Sequence, residues 1–484
     1  MPPCCISTLK MVSLMRLLPA PARKSRDLRL GSNVRDKAGN PRNLILQGDR
    51  DLSHDEMASI LHRRERGTRR QGSCSLIPPV CGAATALFPR CIPYMSNLMN
   101  TYLPQPVTFA KGEGVWLWDE AGKRYLDALA GVAVCGLGHC HPRLVKAICS
   151  QAGTLIHTSN LYRIGRQEQL AVRLAALSGM DRAFFCNSGA EANEAAIKLA
   201  RLFGHGKGID LPTIVVMEKS FHGRTMATLT ASGNRKVQAG FEPLLTGFAR
   251  VPYNDLEAVE QVGIRNKNIV AILVEPYQGE GGVNVPQATY LQGLRHLCDQ
   301  NGWLLMLDEV QCGIGRSGKW FAFQHTGIMP DVITLAKGLG SGVAIGACLA
   351  KGTAAEVFKP GNHASTFGGN PLACSAAMTT LEVIEEEGLL RNAMEIGDFM
   401  RSLLRTQLSD LPDIKEIRGQ GLMIGIELSR PCGDLVGEAL KQGLLINVTS
   451  DKVVRLLPPL IMKRSEAEQV VNLLSGIIRE FLAA

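Results

Sequence analysis

From residue 183 onward, short apolar runs alternate with amphipathic, helix-length stretches. Ala183–Cys186, Thr213–Met217, Ile269–Val274, Leu304–Leu307, Val332–Leu335 and Ala344–Leu349 read as strands, with helical patterns between several of them. That alternation predicts a mostly parallel sheet covered by helices. After Pro371 the pattern becomes a long helix through Glu387. Helices over Arg391–Leu408 and Ser465–Phe481 follow, with strands near Gly421–Leu428 and Val453–Leu456. Upstream, Val107–Tyr125 alternates about the turn Asp119–Lys123 as a β-hairpin. A glycine-punctuated loop, Gly131–Pro142, then leads into a helix starting near Pro142. The predicted fold class is α/β. A large mostly parallel sheet domain spans 156–380, and a smaller α+β domain is built from 95–155 and 381–484. No internal repeat is visible.

Composition adds one correction. The net charge of +9 is confined to residues 1–94, which hold 16 of the 53 Lys and Arg but only 7 of the 44 Asp and Glu. Residues 95–484 are therefore neutral overall and carry no basic bias toward nucleic acid. Residues 1–94 lack sustained periodicity and contain the run Arg63–Arg70. Lys10 and Arg16 break the early apolar stretch a secretory signal would need. The segment reads as a disordered basic tail or a non-native extension ahead of patterned sequence beginning near Met95, with targeting or nucleic-acid binding as the alternative. No apolar stretch is long enough to span a membrane. The 14 cysteines form no C-x-x-C pair, which predicts reduced thiols in a cytoplasmic enzyme.

The candidate chemistry gathers where strands end. Lys337 leaves the run Val332–Leu335 between Ala336 and Gly338, small neighbours that let a flat ring approach its amine. Asp308 ends the apolar run Leu304–Leu307, and a buried carboxylate there needs a cationic partner. A protonated pyridine nitrogen is such a partner, and a lysine can hold the other end of the same ring covalently. Ser188-Gly189-Ala190, between a strand and a helix, offers free N–H groups and the positive end of a helix dipole to a phosphate; an ordinary N-cap by Ser188 is the rival. Phe221 and Arg224 follow another strand, an aromatic that can stack and a guanidinium that can fork onto a carboxylate. Glu280 sits among glycines, while Ser365 and Thr366 precede Gly368 and Gly369. Arg455 lies inside an apolar strand and needs an anionic partner, from substrate or protein. His139 and His141 lack a third ligand at metal spacing, so turn packing is expected. Gly313, Gly315 and Gly318 form a literal G-x-G-x-x-G. The residues after it do not read as the helix a dinucleotide site requires, which leaves an NAD-dependent oxidoreductase as a weak alternative.

Taken together, and in unbroken order over 97–482, these motifs resemble the class III aminotransferases of fold type I, the ornithine and acetylornithine type. The resemblance implies pyridoxal 5′-phosphate bound covalently to Lys337, with Asp308 at the ring nitrogen. Gln311 would lie near the ring hydroxyl and Phe221 on the ring face. Ser188, Gly189 and Ala190 would hold the phosphate, with Thr366 supplied by the neighbouring subunit of a homodimer whose active site lies at the interface. Arg455 and Arg224 would take substrate carboxylates, Ser365 would lie near substrate, and Glu280 would gate Arg455. The family usually has threonine where this chain has Ala190, which removes one hydroxyl donor. Gly131–Val134 and Phe221–Thr225 resemble the acetylornithine branch. That implies transfer of an amino group from acetylornithine to 2-oxoglutarate, with ornithine, succinylornithine, succinyl-diaminopimelate and 4-aminobutyrate as alternative donors.

Overall fold

The computed structural model describes residues 97–483; the expectations for residues 1–94 lie outside the described residues. Three strands open the described chain, β1 (Phe109–Glu113), β2 (Trp116–Asp119) and β3 (Arg124–Asp127), as an antiparallel meander. The expected hairpin is thus two hairpins, because Gly114 turns the chain at φ 59° before Asp119–Lys123 turns it again.

The central sheet comprises β4 (Arg182–Cys186), β5 (Thr213–Met217), β6 (Phe248–Val251), β7 (Ile269–Val274), β8 (Leu304–Asp308), β9 (Val332–Leu335) and β10 (Gly346–Ala350). Their spatial order is β4-β10-β9-β8-β7-β5-β6. Only β10 runs against its neighbours. Successive side chains point to opposite faces, and both faces are covered. Val215, Ile272, Leu305, Leu307 and Ile333 enter one core. Ile214, Val216, Leu273, Met306 and Val332 enter another, beneath Ala195, Ala196 and Leu199 of helix Gly189–Gly206. Burial on two faces is why these strands read as uninterrupted apolar runs. The edge strand β6 is only half buried and lacks that signature.

The last sheet contains β11 (Ile414–Gln420), β12 (Met423–Leu428), β14 (Asn447–Thr449) and β15 (Val453–Leu456), in the order β11-β12-β15-β14. The two-residue β13 (Leu444–Leu445) joins β3 in parallel. Helices Pro371–Glu386, Leu389–Gln407 and Arg464–Ala483 match the expected C-terminal helices to within two residues. Asn370 caps the first, accepting from Ala373 N at 2.9 Å, with Pro371 opening it. No helix among the described residues is long and apolar enough to cross a membrane.

The glycines 313, 315 and 318 form successive turns, with φ of 85° at Gly315 and 90° at Gly318, and only a single 3-10 turn, Ala322–His325, follows them rather than an α-helix. A dinucleotide fingerprint lacks its helix here. The two histidines are partnered within the protein: His139 Nε2 meets Asp127 Oδ2 at 2.8 Å and His141 Nε2 meets Glu387 at 3.2 Å. Burial pushes the His139 ring pKa down, but the Asp127 and Cys135 side chains outweigh it and raise it to about 9. A histidine with a raised folded pKa contributes stability below its unfolded value near 6.5 and loses it as pH rises through the folded value. The melting temperature is therefore expected to fall between about pH 6.5 and 9. Comparison with His139→Gln by calorimetry isolates this effect, because the variant should lose that part of the slope.

Candidate active site

The chain leaves β4, β5, β7, β8 and β9 at the same edge of the central sheet. The loops that follow enclose a cavity of about 420 Å³. Ligand sites outside the carboxyl ends of parallel strands are the rule in open α/β sheets.

Asp308, the last residue of β8, is 3 % exposed. Its Oδ2 accepts from Asn193 Nδ2 and lies against His222 Nδ1, both at 2.8 Å; its Oδ1 accepts from Val310 N at 3.0 Å. Asn193 is held in turn, since Thr334 Oγ1 donates to its Oδ1 at 2.7 Å and its Nδ2 also reaches His222 O at 2.8 Å. One carboxylate is thus fixed by three elements and aimed into the cavity. His222 is buried, and its Nε2 has no partner among the described residues.

Lys337 follows β9 with φ 43°, a left-handed backbone that a lysine adopts only under constraint from its surroundings. Its Nζ has neither a hydrogen-bond nor an ion-pair partner among the described residues. Burial lowers its pKa, and the negative charges of Asp308 and Glu280 hold it back. An amine with a lowered pKa and no partner is poised as a nucleophile and base.

Ser188 caps helix Gly189–Gly206, its Oγ accepting from Glu191 N at 3.2 Å. The capping role is therefore real, and it leaves the N–H groups of Gly189 and Ala190, beside the cavity, without acceptors among the described residues. A Cβ on Gly189 would come within 2.6 Å of Val310 Cγ1, so this approach requires glycine. Phe221 lines the cavity with its N–H on Glu275 Oε1 at 2.9 Å; Arg224 is exposed at the rim, 5.6 Å from the Phe221 ring centre.

Arg455, in β15 between Gly425 and Asn447, is 1 % exposed. Its Nη1 donates to Glu280 Oε1 at 2.7 Å and to Gln311 Oε1 at 3.2 Å. Burial raises the Glu280 pKa, but Arg455 outweighs it and holds the carboxyl below its ordinary value. Asn447 adds a third anchor, accepting from Arg455 Nε at 3.2 Å.

The cavity thus brings together Ser188, Gly189, Ala190, Phe221, Arg224, Glu280, Asp308, Gln311 and Lys337, with Arg455 behind Glu280. Ser365 stands one step away, accepting from Asn187 Nδ2 at 3.3 Å. Thr366 is exposed and does not line this cavity. Sequence reasoning missed His222, Asn193, Glu275 and Val310. A signal existed for Asn193, an amide in an otherwise apolar helix stripe. Glu275 is buried, which pushes its pKa up to about 7 against the pull of His222 and of two backbone N–H donors.

The donor set fits pyridoxal phosphate. Two vacant helix N-terminal N–H groups suit a phosphate, Phe221 and Val310 flank a space for a ring, a fixed carboxylate suits a pyridinium, and an unpartnered amine suits an aldehyde.

Fold and site together define an aminotransferase of class III. The family model "Aminotransferase class-III" matches residues 98–478, and the chain belongs to that family. It is 72 % identical over 388 residues to the acetylornithine aminotransferase of Nitrosomonas europaea, covering 80 % of this chain and 99 % of that protein. The acetylornithine aminotransferase of Methanocaldococcus jannaschii is 49 % identical over 383 residues, 79 % of this chain and 96 % of that one. Among solved structures, the ornithine aminotransferase of Toxoplasma gondii superposes with a TM-score of 0.77 at 35 % identity, covering 80 % of this chain and 93 % of that chain. The acetylornithine aminotransferase of Elizabethkingia anophelis does so with 0.71 at 36 % identity, covering 79 % and 96 %.

Proposed function

We propose that this enzyme transfers the terminal amino group of N2-acetyl-L-ornithine to 2-oxoglutarate, giving N-acetyl-glutamate 5-semialdehyde and glutamate, a step of arginine biosynthesis. The observation that carries this reading is the partnerless Lys337 amine sharing one cavity with the Asp308 carboxylate and the Glu280–Arg455 pair. Identity of 72 % to an acetylornithine aminotransferase supports the choice of donor.

Lys337, Ser188, Gly189, Ala190, Phe221 and Gln311 would hold pyridoxal phosphate, which when bound would supply an aldehyde and an electron-withdrawing ring. Asp308 places a fixed negative charge on the cavity floor that keeps a proton at the ring nitrogen. Asn193 and His222 hold that carboxylate against rotation. Lys337 Nζ removes the proton from the amine-bearing carbon of the donor, work typically worth about 10²–10⁴-fold. Glu280 and Arg455 let one pocket seat two acids. Paired, they present little net charge to the chain of a monocarboxylate donor. Once Glu280 swings away, Arg455 is free to clamp a carboxylate of 2-oxoglutarate, and Arg224 at the rim serves another.

A homodimer completes the site in this reading. The segment around Ser365 and Phe367 packs on the residues just before Leu161 and Tyr162: Asn160 Nδ2 donates to Ser365 O at 3.0 Å, and the His157 and Phe367 rings lie 5.3 Å apart. Leu161 is 86 % and Tyr162 72 % exposed, an apolar surface suited to a second copy that would receive Thr366. We infer the cytoplasm as its compartment, from nine unpaired cysteines among the described residues.

The test is kcat/KM for acetylornithine, ornithine and 4-aminobutyrate with 2-oxoglutarate. Acetylornithine should be preferred, and a clear preference for free ornithine would overturn the donor assignment. A second expectation concerns Ala190. Ala190→Thr should return a hydroxyl donor to the phosphate and tighten coenzyme binding by about 1 kcal/mol, roughly fivefold in Kd by titration of the apoenzyme.

A further inference from the structure

Ala130, Gly131, Val132 and Ala133 have φ of 50°, 61°, 64° and 62° in succession. The ψ values at Gly131 and Val132 are 34° and 62°, and the bonds Ala133 N to Leu129 O (3.1 Å) and Val134 N to Ala130 O (2.8 Å) close the turn. This is a turn of left-handed helix in which three residues carry a Cβ, one of them β-branched. Such backbone is costly for L-residues and persists only where the surroundings over-determine it.

Asp127 supplies that constraint. Its carboxylate is 2 % exposed, and Oδ1 accepts from both Leu129 N and Ala130 N at 2.8 Å, the two groups that open the turn. Oδ2 is tied to His139 at the far end of the same loop. Arg316, also buried, is a second cation in its field. The turn is docked against the catalytic machinery. Ala133 O would lie 3.7 Å from a Cβ on Gly338, the neighbour of Lys337, and Leu137 N donates to Ser341 Oγ at 3.1 Å. On the other side Leu457 N, two residues past Arg455, donates to Ala128 O at 2.8 Å. Val134, the first residue beyond the turn, lines the cavity.

We propose that Asp127 is a positioning residue for the amino donor: it holds the left-handed turn Ala130–Ala133 and thereby fixes the pocket wall at Val134 that the donor's chain meets. This rests on the reading of the cavity as an aminotransferase site. Asp127 does not line the cavity, so it acts through the turn it holds.

The test uses the full chain as holoenzyme. Asp127→Ala should raise KM for acetylornithine by about tenfold or more, with kcat and the visible spectrum of the bound coenzyme nearly unchanged, the pattern of lost uniform binding. Ala133→Gly in the Asp127→Ala background should restore most of that KM, because glycine adopts left-handed backbone without a clamp. An unchanged KM in Asp127→Ala would overturn the proposal, as would a raised KM that Ala133→Gly fails to restore. Should Asp127→Ala yield no folded holoenzyme, Asp127→Asn with and without Ala133→Gly is judged by the same two outcomes. Inactivity of the parent holoenzyme toward acetylornithine would count against the donor assignment alone, because the KM comparison runs with whichever amino donor it accepts.

Discussion

Lys337→Ala should abolish turnover to within the reach of a steady-state assay, a fall in kcat of about 10²–10⁴-fold from proton transfer alone. Losing the covalent hold on the coenzyme adds to this. The expectation follows from position. The Nζ has no partner among the described residues, its pKa is depressed by burial, and it stands on strained backbone with φ 43°. Arg455 cannot substitute, because its guanidinium is committed to Glu280 and Gln311. Two measurements check it. Borohydride reduction of the holoenzyme followed by peptide mapping should put the coenzyme's mass on the peptide containing Lys337. A small primary amine added to Lys337→Ala should recover part of the single-turnover rate. A label on any other side chain would remove the basis of the whole mechanism.

Asp308→Asn should lower kcat by about 10²–10³-fold, the usual cost of removing one preorganised electrostatic partner. Asparagine is nearly isosteric and can still accept from Asn193, so the fold should survive. What it loses is the charge that keeps a proton at the ring nitrogen, and it leaves His222 facing an amide in a dry site. Asp308→Ala should cost more and spread further. It removes the acceptor from Asn193 Nδ2, His222 Nδ1 and Val310 N together, and unsatisfied buried groups cost about 1–3 kcal/mol each. Kinetics in single turnover separate the two variants from a folding defect, provided their melting curves are recorded alongside. Equal activity of Asp308→Asn and the parent would refute the role assigned here.

Much of this arrangement was legible in the residue order. The strands β5, β7 and β9 have the bounds their apolar runs predicted, because burial on both faces leaves polar residues only at the ends. The placement of Asp308 and Lys337 at strand ends facing one cavity was legible for the same reason. Asp308 ends one buried strand and Lys337 stands just past another, where a charge is costly unless partnered. Residues whose importance depends on neighbours distant in the chain were not legible. Asn193 matters because Thr334 and Asp308 reach it from two strands, and His222 because it touches Asp308 across 86 residues. The half-buried edge strand β6 had no apolar run to announce it.

The sequence alone determined the layered α/β class, the strand-end positions of Asp308 and Lys337 and the confinement of excess charge to residues 1–94. Each of these is written in local pattern: periodicity, a charged residue at a strand end, a count. Only the tertiary structure decided that Glu280 closes on Arg455, that Asn193 and His222 brace Asp308, and that the chain beside the pocket turns left-handed under the hold of Asp127. Those features exist only when side chains far apart in the chain meet in a low-dielectric interior. There an unpaired charge or a strained turn costs too much to persist without its partner.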